Sequence, residues 1–202
     1  AYGELSPYPS DNMTRYEHEA VSVKKLDPDS YLVDLGKEII GSLKLKINLS
    51  SNDQITVSYG EELNEDGTVR YKMGTGNIYQ ENWTLKAGSQ ELQDISMKTY
   101  RYVQIDGCSV DVTTDMVCGM AIRQEFSEEE SSFSSSNQIL NDIYNVTKYS
   151  IKATNQDLYV DSQSRERGAY EGDGLINMLS SCAFEDDYSL SRLSLDYLSN
   201  YP

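Results

Sequence analysis

Ser42-Leu43-Lys44-Leu45-Lys46-Ile47-Asn48-Leu49 alternates polar and apolar side chains without a break over eight residues. A strand turns successive side chains to opposite faces, so this stretch buries one face and wets the other. Working outward, Tyr31-Leu32-Val33-Asp34-Leu35 alternates more weakly. Residues 54–60, 100–107 and 116–122 read as further short strands. Turn signals stand between them: Asp27-Pro28-Asp29, Ser51-Asn52-Asp53, Glu65-Asp66-Gly67, Gly74-Thr75-Gly76-Asn77 and Lys86-Ala87-Gly88. Half-buried strands joined by polar turns predict an antiparallel β-sandwich over residues 14–124.

The pattern then changes. Residues 125–136, Glu125 to Ser136, are acidic and Ser-rich and read as a solvated linker. From Asn137 the period is helical: Ile139, Leu140, Ile143, Tyr144, Val146, Tyr149 and Ile151 recur at three- and four-residue steps, with Ser136 or Asn137 as N-cap. Leu175, Ile176, Met178, Leu179 and Phe184 suggest a second helix. A third runs from about Asp187 to Asn200, capped by Asp186 or Asp187. The fold class is therefore α+β and multi-domain, a sandwich followed by helices over 137–202. Two or three amphipathic helices cannot cover their own apolar faces, so they are expected to begin a larger helical domain.

Composition narrows the function. Lys and Arg number 17 against 33 Asp and Glu, a formal net charge of −16. A surface this acidic repels phosphate backbones, so no nucleic-acid partner is expected. No apolar run approaches the roughly 18–20 residues that cross a bilayer, and Ala1 to Pro7 lack the features of a signal peptide. The three cysteines, Cys108, Cys118 and Cys182, have no metal-ligand spacing and read as small hydrophobes, with a Cys108–Cys118 disulfide left open. They lean towards a cytoplasmic location. Four Asn-x-Ser/Thr tripeptides, at Asn12, Asn48, Asn82 and Asn145, do not outweigh them. The lone His18, between Glu17 and Glu19, reads as solvated or lightly paired, which argues against a Ser-His-Asp or Cys-His mechanism. No metal and no cofactor is expected.

Chemistry concentrates in Asp161-Ser162-Gln163-Ser164-Arg165-Glu166-Arg167-Gly168-Ala169-Tyr170-Glu171-Gly172-Asp173. Charge-dense loops are most often solvated surface with weak internal ion pairs. Yet opposed charges beside backbone-permissive glycines also suit a polar ligand and a proton transfer. Glycoside hydrolysis needs one protonated carboxyl for the leaving oxygen and one ionised carboxylate to activate water or attack. In an extended loop neighbours alternate, so Glu166 can face a cleft while Arg165 and Arg167 face away. Asp161 and Asp173 would then supply negative potential and accept sugar hydroxyls, and Tyr170 offers a face for a pyranose ring.

This loop resembles the signature of the α-L-rhamnosidase family of glycoside hydrolases, Asp-Cys-Pro-x-Arg-Glu-Arg-x-x-Trp-x-Gly-Asp. Asp161, Arg165, Glu166, Arg167, Gly172 and Asp173 fall in register. Tyr170 stands for the Trp, Ser162 for the Cys and Gln163 for the Pro. Tyr31 to Gly36 with Gly41, Tyr59 to Leu63, Asp66-Gly67 and Tyr100 to Val103 resemble the sandwich that precedes this family's barrel. Phe133 to Asn137 with Leu140-Asn141 and Ile143 resemble the entry to its first helix. The resemblance implies the first helices of an (α/α)₆ barrel and an inverting exo-glycosidase that releases terminal α-L-rhamnose from glycosides or polysaccharides. It implies Glu166 as general acid, and Asp161, Arg165, Tyr170 and Asp173 as sugar-binding residues. It further implies that the second catalytic carboxylate lies beyond residue 202, so the chain would be an incomplete and inactive part of its parent.

Two other readings stay open. One is a non-catalytic carbohydrate-binding sandwich with a helical appendix, for which the many tyrosines supply material. The other keeps the fold and takes another α-linked sugar, including a uronic acid held by Arg165 and Arg167.

Overall fold

The structure, a computed structural model, describes residues 13–199; Ala1 to Pro7 and the expected end of the third helix at Asn200 lie outside them. Arg15–Ile122 form one compact unit and the residues from Arg123 onward another. The first is antiparallel β throughout: β1 (Thr14–Glu19), β2 (Ser22–Asp27), β3 (Ser30–Leu49), β4 (Asp53–Gly60), β5 (Gln80–Leu85), β6 (Gly88–Gln93), β7 (Lys98–Asp106) and β8 (Val117–Arg123). The second holds α1 (Gln138–Thr154), α2 (Glu171–Ser181) and α3 (Ser189–Ser199).

The two strand signals at 31–35 and 42–49 belong to one strand of 20 residues. Its first part pairs with β2 and β7, its last part with β8 and β6. By changing partners along its length β3 carries one hydrogen-bonded sheet over into two packed layers, the sandwich. The changeover is a bulge. Asp34 pairs with Tyr102 and Ile39 with Tyr100, so Leu35 to Glu38 stand opposite the single residue Arg101. Gly36 takes φ 75° there, and its amide donates to Asp34 Oδ1 at 2.6 Å. Arg101 grips Asp34 through Nε and a terminal nitrogen, each at 2.8 Å. That fork holds the Asp34 carboxyl below its usual range and pins the bulge from the facing strand.

Between the layers Val33, Leu35, Leu43, Leu45, Val57, Val103 and Ile105 are fully buried. Tyr59 and Tyr100 meet edge-on at 5.1 Å, and the Tyr100 hydroxyl donates to the Ser42 carbonyl at 2.7 Å. A buried lysine lies alongside. Lys98 Nζ is 2.5 Å from Asp94 and 2.7 Å from Glu81, and 4.5 Å from the centre of the Tyr59 ring. Burial works to raise the Asp94 carboxyl, but hydrogen bonds from Lys98 and Ser96 outweigh it and hold it low. Gly41 pairs with Ala121, and a Cβ on it would lie 1.9 Å from the Met120 carbonyl oxygen. Only glycine lets β8 approach there. All three cysteines are free, so the Cys108–Cys118 disulfide is not formed. His18 is lightly paired, Nε2 lying 3.0 Å from the Leu35 carbonyl.

In the helical unit Asn137, not Ser136, is the N-cap of α1, its Oδ1 accepting from the Ile139 amide at 3.0 Å. The acidic stretch before it is not a solvated strap throughout. Phe126 is buried, and Lys148 Nζ reaches from α1 to the carbonyls of Glu128 and Ser131 at 2.7 and 2.9 Å. Phe133, Tyr144 and Phe184 stack in series at 5.4 and 5.5 Å. Meanwhile Ile139, Ile143 and Val146 on α1 stay 68, 56 and 66% exposed. Among the described residues no helix is long and apolar enough to cross a membrane.

Asn155 ends α1 and is almost wholly buried. Its carbonyl accepts from the Gln124 amide at 2.9 Å, and its Nδ2 donates to Glu185 Oε1 at 2.8 Å, in the turn between α2 and α3. Burial pushes the Glu185 carboxyl up to about 7, helped by the charges of Asp187 and Glu130 and opposed by Asn155 and Arg123.

Two outcomes test this packing. Gly41→Ala should destabilise the sandwich by about 3 kcal/mol or more, because backbone rather than a side-chain tip must give way. Gly74→Ala, in open space, should change the stability read from urea unfolding by no more than about 0.5 kcal/mol. Glu185 binds its proton more tightly folded than unfolded, where glutamate titrates near about 4.3. Its stabilisation is therefore complete below about pH 4 and lost as pH rises through 7. Urea unfolding should show Glu185→Gln matching the parent at pH 4 and exceeding it by roughly 1–3 kcal/mol above pH 7.

Candidate active site

The loop between α1 and α2 begins at Asn155 and is tied down as it leaves. Gln163 Nε2 donates back to the Thr154 carbonyl at 3.3 Å, and Asn177 of α2 donates to the Val160 carbonyl at 3.2 Å. Its centre is a closed ring of backbone. The Asp161 amide donates to the Gly168 carbonyl at 3.0 Å, and the Gly168 amide returns to Asp161 Oδ1 at 2.8 Å. Gln163 to Glu166 form a turn inside that ring. Arg167, at φ 53°, takes the left-handed conformation that closes it, and its Nε donates to the Gln163 carbonyl at 2.9 Å. An αL conformation at a residue with a Cβ costs about 1–3 kcal/mol, held here by the bonds on either side.

The turn corrects the extended-loop expectation. Side chains in a tight turn do not alternate, and Arg165 does not face away from Glu166: the two form an ion pair. The Glu166 amide donates to Ser162 Oγ at 3.2 Å, fixing where its side chain leaves the backbone. The carboxyls of Asp161 and Glu166 lie side by side. Burial works to raise Asp161, but the amides of Gly168 and Ser162 and the contact with Glu166 outweigh it and hold Asp161 low. The Tyr170 hydroxyl lies near Glu166, whose charge, followed by burial and the charge of Asp161, raises the tyrosine.

Asp161, Arg165, Glu166 and Tyr170 are thus brought together. Asp173 is not part of that hydrogen-bonded group. It lies exposed on the first turn of α2, where with Glu171 it complements the positive end of the helix dipole. Beside the group is a cavity of about 310 Å³, walled by Arg167 to Glu171 and, from α3, by Tyr197 and Leu198. Its volume is at the lower end of small-ligand sites, about 300–1,000 Å³. Sequence reasoning missed Gly168, whose importance shows only once the ring is closed. It missed Tyr197 and Leu198, which read as an ordinary helical stripe. Among the described residues no group of three or more His, Cys, Asp or Glu is arranged to hold a metal ion.

Two neighbouring carboxyls, with an arginine and an aromatic hydroxyl beside one of them, form a group that can take part in proton transfer to a bound oxygen. Comparison with known proteins bears on which oxygen. The curated α-L-rhamnosidase of Formosa agariphila is 26% identical over 166 residues, 78% of this chain and 17% of that protein. That of Streptomyces avermitilis is 26% identical over 105 residues, 51% of this chain and 10% of that protein. The chain thus spans less than a fifth of the curated relatives it matches. Among solved structures, the α-L-rhamnosidase from Dictyoglumus thermophilum superposes with a TM-score of 0.82 at 21% identity, covering 91% of this chain and 21% of that one. The Streptomyces avermitilis α-L-rhamnosidase complexed with L-rhamnose superposes at 0.68 with 20% identity, covering 78% and 16%. At these identities the superpositions show the fold. A model described as the bacterial alpha-L-rhamnosidase concanavalin-like domain matches residues 24–123. One described as the bacterial alpha-L-rhamnosidase 6 hairpin glycosidase domain follows at 128–199. Strand unit and helices are accounted for in order by two parts of one family, and the chain belongs to the bacterial α-L-rhamnosidases.

Proposed function

We propose that this chain is part of a larger glycoside hydrolase that cleaves terminal α-L-rhamnosyl linkages, and that it contributes the general acid, Glu166. The observation that carries this is the meeting of Asp161, Arg165, Glu166 and Tyr170 in one braced loop, within the segment matched by the hairpin glycosidase model. Departure of a sugar leaves an alkoxide that needs a proton in the transition state. Asp161, held ionised by two backbone amides, keeps a negative charge beside its partner. Glu166 is the carboxyl left to carry the proton to the leaving oxygen. Arg165 and the Tyr170 hydroxyl fix where that proton is delivered, and they stabilise the carboxylate that remains. Asp173, exposed on the first turn of α2, is available to accept a sugar hydroxyl.

The reaction we propose is inverting, with water activated by a second carboxylate about 6.5–9.5 Å from the first. That carboxylate belongs to the part of the enzyme this chain does not span. The exposed apolar stripes of all three helices support that reading. Ile139, Val146, Ile176, Leu179 and Leu195 are more than half exposed, which suits helices awaiting neighbours of a barrel. A carboxylate-bearing sugar is less suited to the loop, since Arg165 is committed to Glu166 and Arg167 to the Gln163 carbonyl.

An enzyme extended through the downstream sequence should release alcohol from alkyl and nitrophenyl α-L-rhamnosides with inversion at the anomeric carbon. Glu166→Gln should lower kcat about 10²- to 10⁴-fold on the alkyl substrate. The loss should be smaller on the nitrophenyl one, whose leaving group needs no proton. The 202-residue chain alone should not turn over; turnover by it, abolished by Glu166→Gln, would refute the divided site.

A further inference from the structure

Tyr170 folds back so that its ring lies against the α-carbon of Gly168. A Cβ on Gly168 would sit 2.7 Å from Tyr170 Cε2 and 3.0 Å from Cζ, closer than such atoms can approach. Gly168 does not have a positive φ. Glycine is needed here for space, not for backbone freedom. The same residue is the junction of the loop: its amide donates to Asp161 Oδ1, and its carbonyl accepts from the amides of Asp161 at 3.0 Å and Tyr170 at 3.1 Å. The backbone of Tyr170 is therefore fixed relative to Asp161, and only the ring's direction remains to be set. The Tyr170 hydroxyl, at the far end of that ring, lies on the Glu166 side of the loop, where the charge of that carboxyl is the largest influence on it.

We propose that Gly168 is a positioning residue for Glu166: its bare α-carbon seats the Tyr170 ring, and the seated ring directs the hydroxyl onto the Glu166 carboxyl. The consequence for catalysis rests on the function proposed above; the seating does not. Tyr170 is 49% exposed, so a methyl group on residue 168 meets the tip of a side chain that can swing outward. Gly168→Ala should leave stability almost untouched while taking the hydroxyl off Glu166. A residue needed only for folding would behave the other way round.

The test is NMR on the 202-residue chain with labelled Tyr, Gly and Glu. Unmodified protein should show a nuclear Overhauser effect between the Gly168 α-protons and the Tyr170 ring. At fixed pH the Glu166 carboxyl ¹³C resonance should move in Gly168→Ala and in Tyr170→Phe, and the double variant should match Tyr170→Phe alone. Absence of the Overhauser effect, additive displacements, or a Glu166 signal that answers Tyr170→Phe but not Gly168→Ala would overturn the proposal. The first readout needs no variant, so misfolding of Gly168→Ala would not spare the idea. In the extended enzyme Gly168→Ala should cut kcat by on the order of tenfold or more with KM little changed, and add nothing in the Tyr170→Phe background. An extended enzyme inactive on rhamnosides but with the expected NMR pattern would sink the functional reading and leave the seating intact.

Discussion

The two hydrogen bonds between Asp161 and Gly168 are the constraint on which the candidate site depends. One is backbone to backbone and the other backbone to carboxylate, and together they make an eight-residue excursion into a closed ring. Everything reactive hangs from that ring. Glu166 is aimed by the turn within it, Arg165 folds across to meet it, and Tyr170 leaves at its exit and turns back. The strained residue, Arg167, sits at the closure. The carboxylate that completes the ring is also the one beside Glu166, so charge and geometry are not independent here. Loss of the Asp161 charge would weaken the ring and remove the negative neighbour of Glu166 in one step.

The two units meet their hydrophobic requirements differently. The sandwich is closed on itself, with a fully buried aliphatic centre and a buried Lys98 whose charge is matched by Asp94 and Glu81. A buried ion with two carboxylates and ring contacts is tolerable; stripped of either carboxylate it would not be. The helical unit instead relies on polar joints. Asn155 binds the Glu185 turn and the Gln124 amide, Lys148 ties down the acidic segment, and Tyr159 meets Ser191 and Ser194 of α3. Such joints fix directions without covering area. They hold the loop in register while the outer stripes of α1, α2 and α3 stay in solvent.

Much of this was legible in the sequence, and what was not has physical causes. Alternation at 42–49, 54–60 and 100–107 marked strands because one face of each enters the core. The stretches Thr14 to Glu19 and Gly88 to Gln93 gave no such signal, since they are largely polar and exposed. The alternation at 31–35 and at 42–49 read as two separate strand signals, and what lies after the first is not a break. It is a bulge within one strand, held by the fork from Arg101 to Asp34, 67 positions apart, which no local pattern could supply. The spacing of Asp161, Arg165, Glu166 and Tyr170 marked them as candidates for one site. Their mutual geometry was misjudged at Arg165, because an extended loop was assumed where the Asp161–Gly168 closure makes a turn. Asp173 shared the motif but belongs to the helix start rather than to the carboxyl group. Glu185 was invisible beforehand, as its raised pKa comes from tertiary burial and from the charges of Asp187 and Glu130.

The account stands most directly on whether the ring is formed before any sugar binds. Amide hydrogen exchange, resolved by NMR, measures this on the free chain. The account predicts that the Gly168 and Asp161 amides exchange far more slowly than in an unstructured peptide, and that Asp161→Asn speeds the exchange of Gly168. Exchange of both amides at unstructured rates, with the amides of α2 still protected, would mean that the loop carrying Glu166 is not built in advance and would contradict the account.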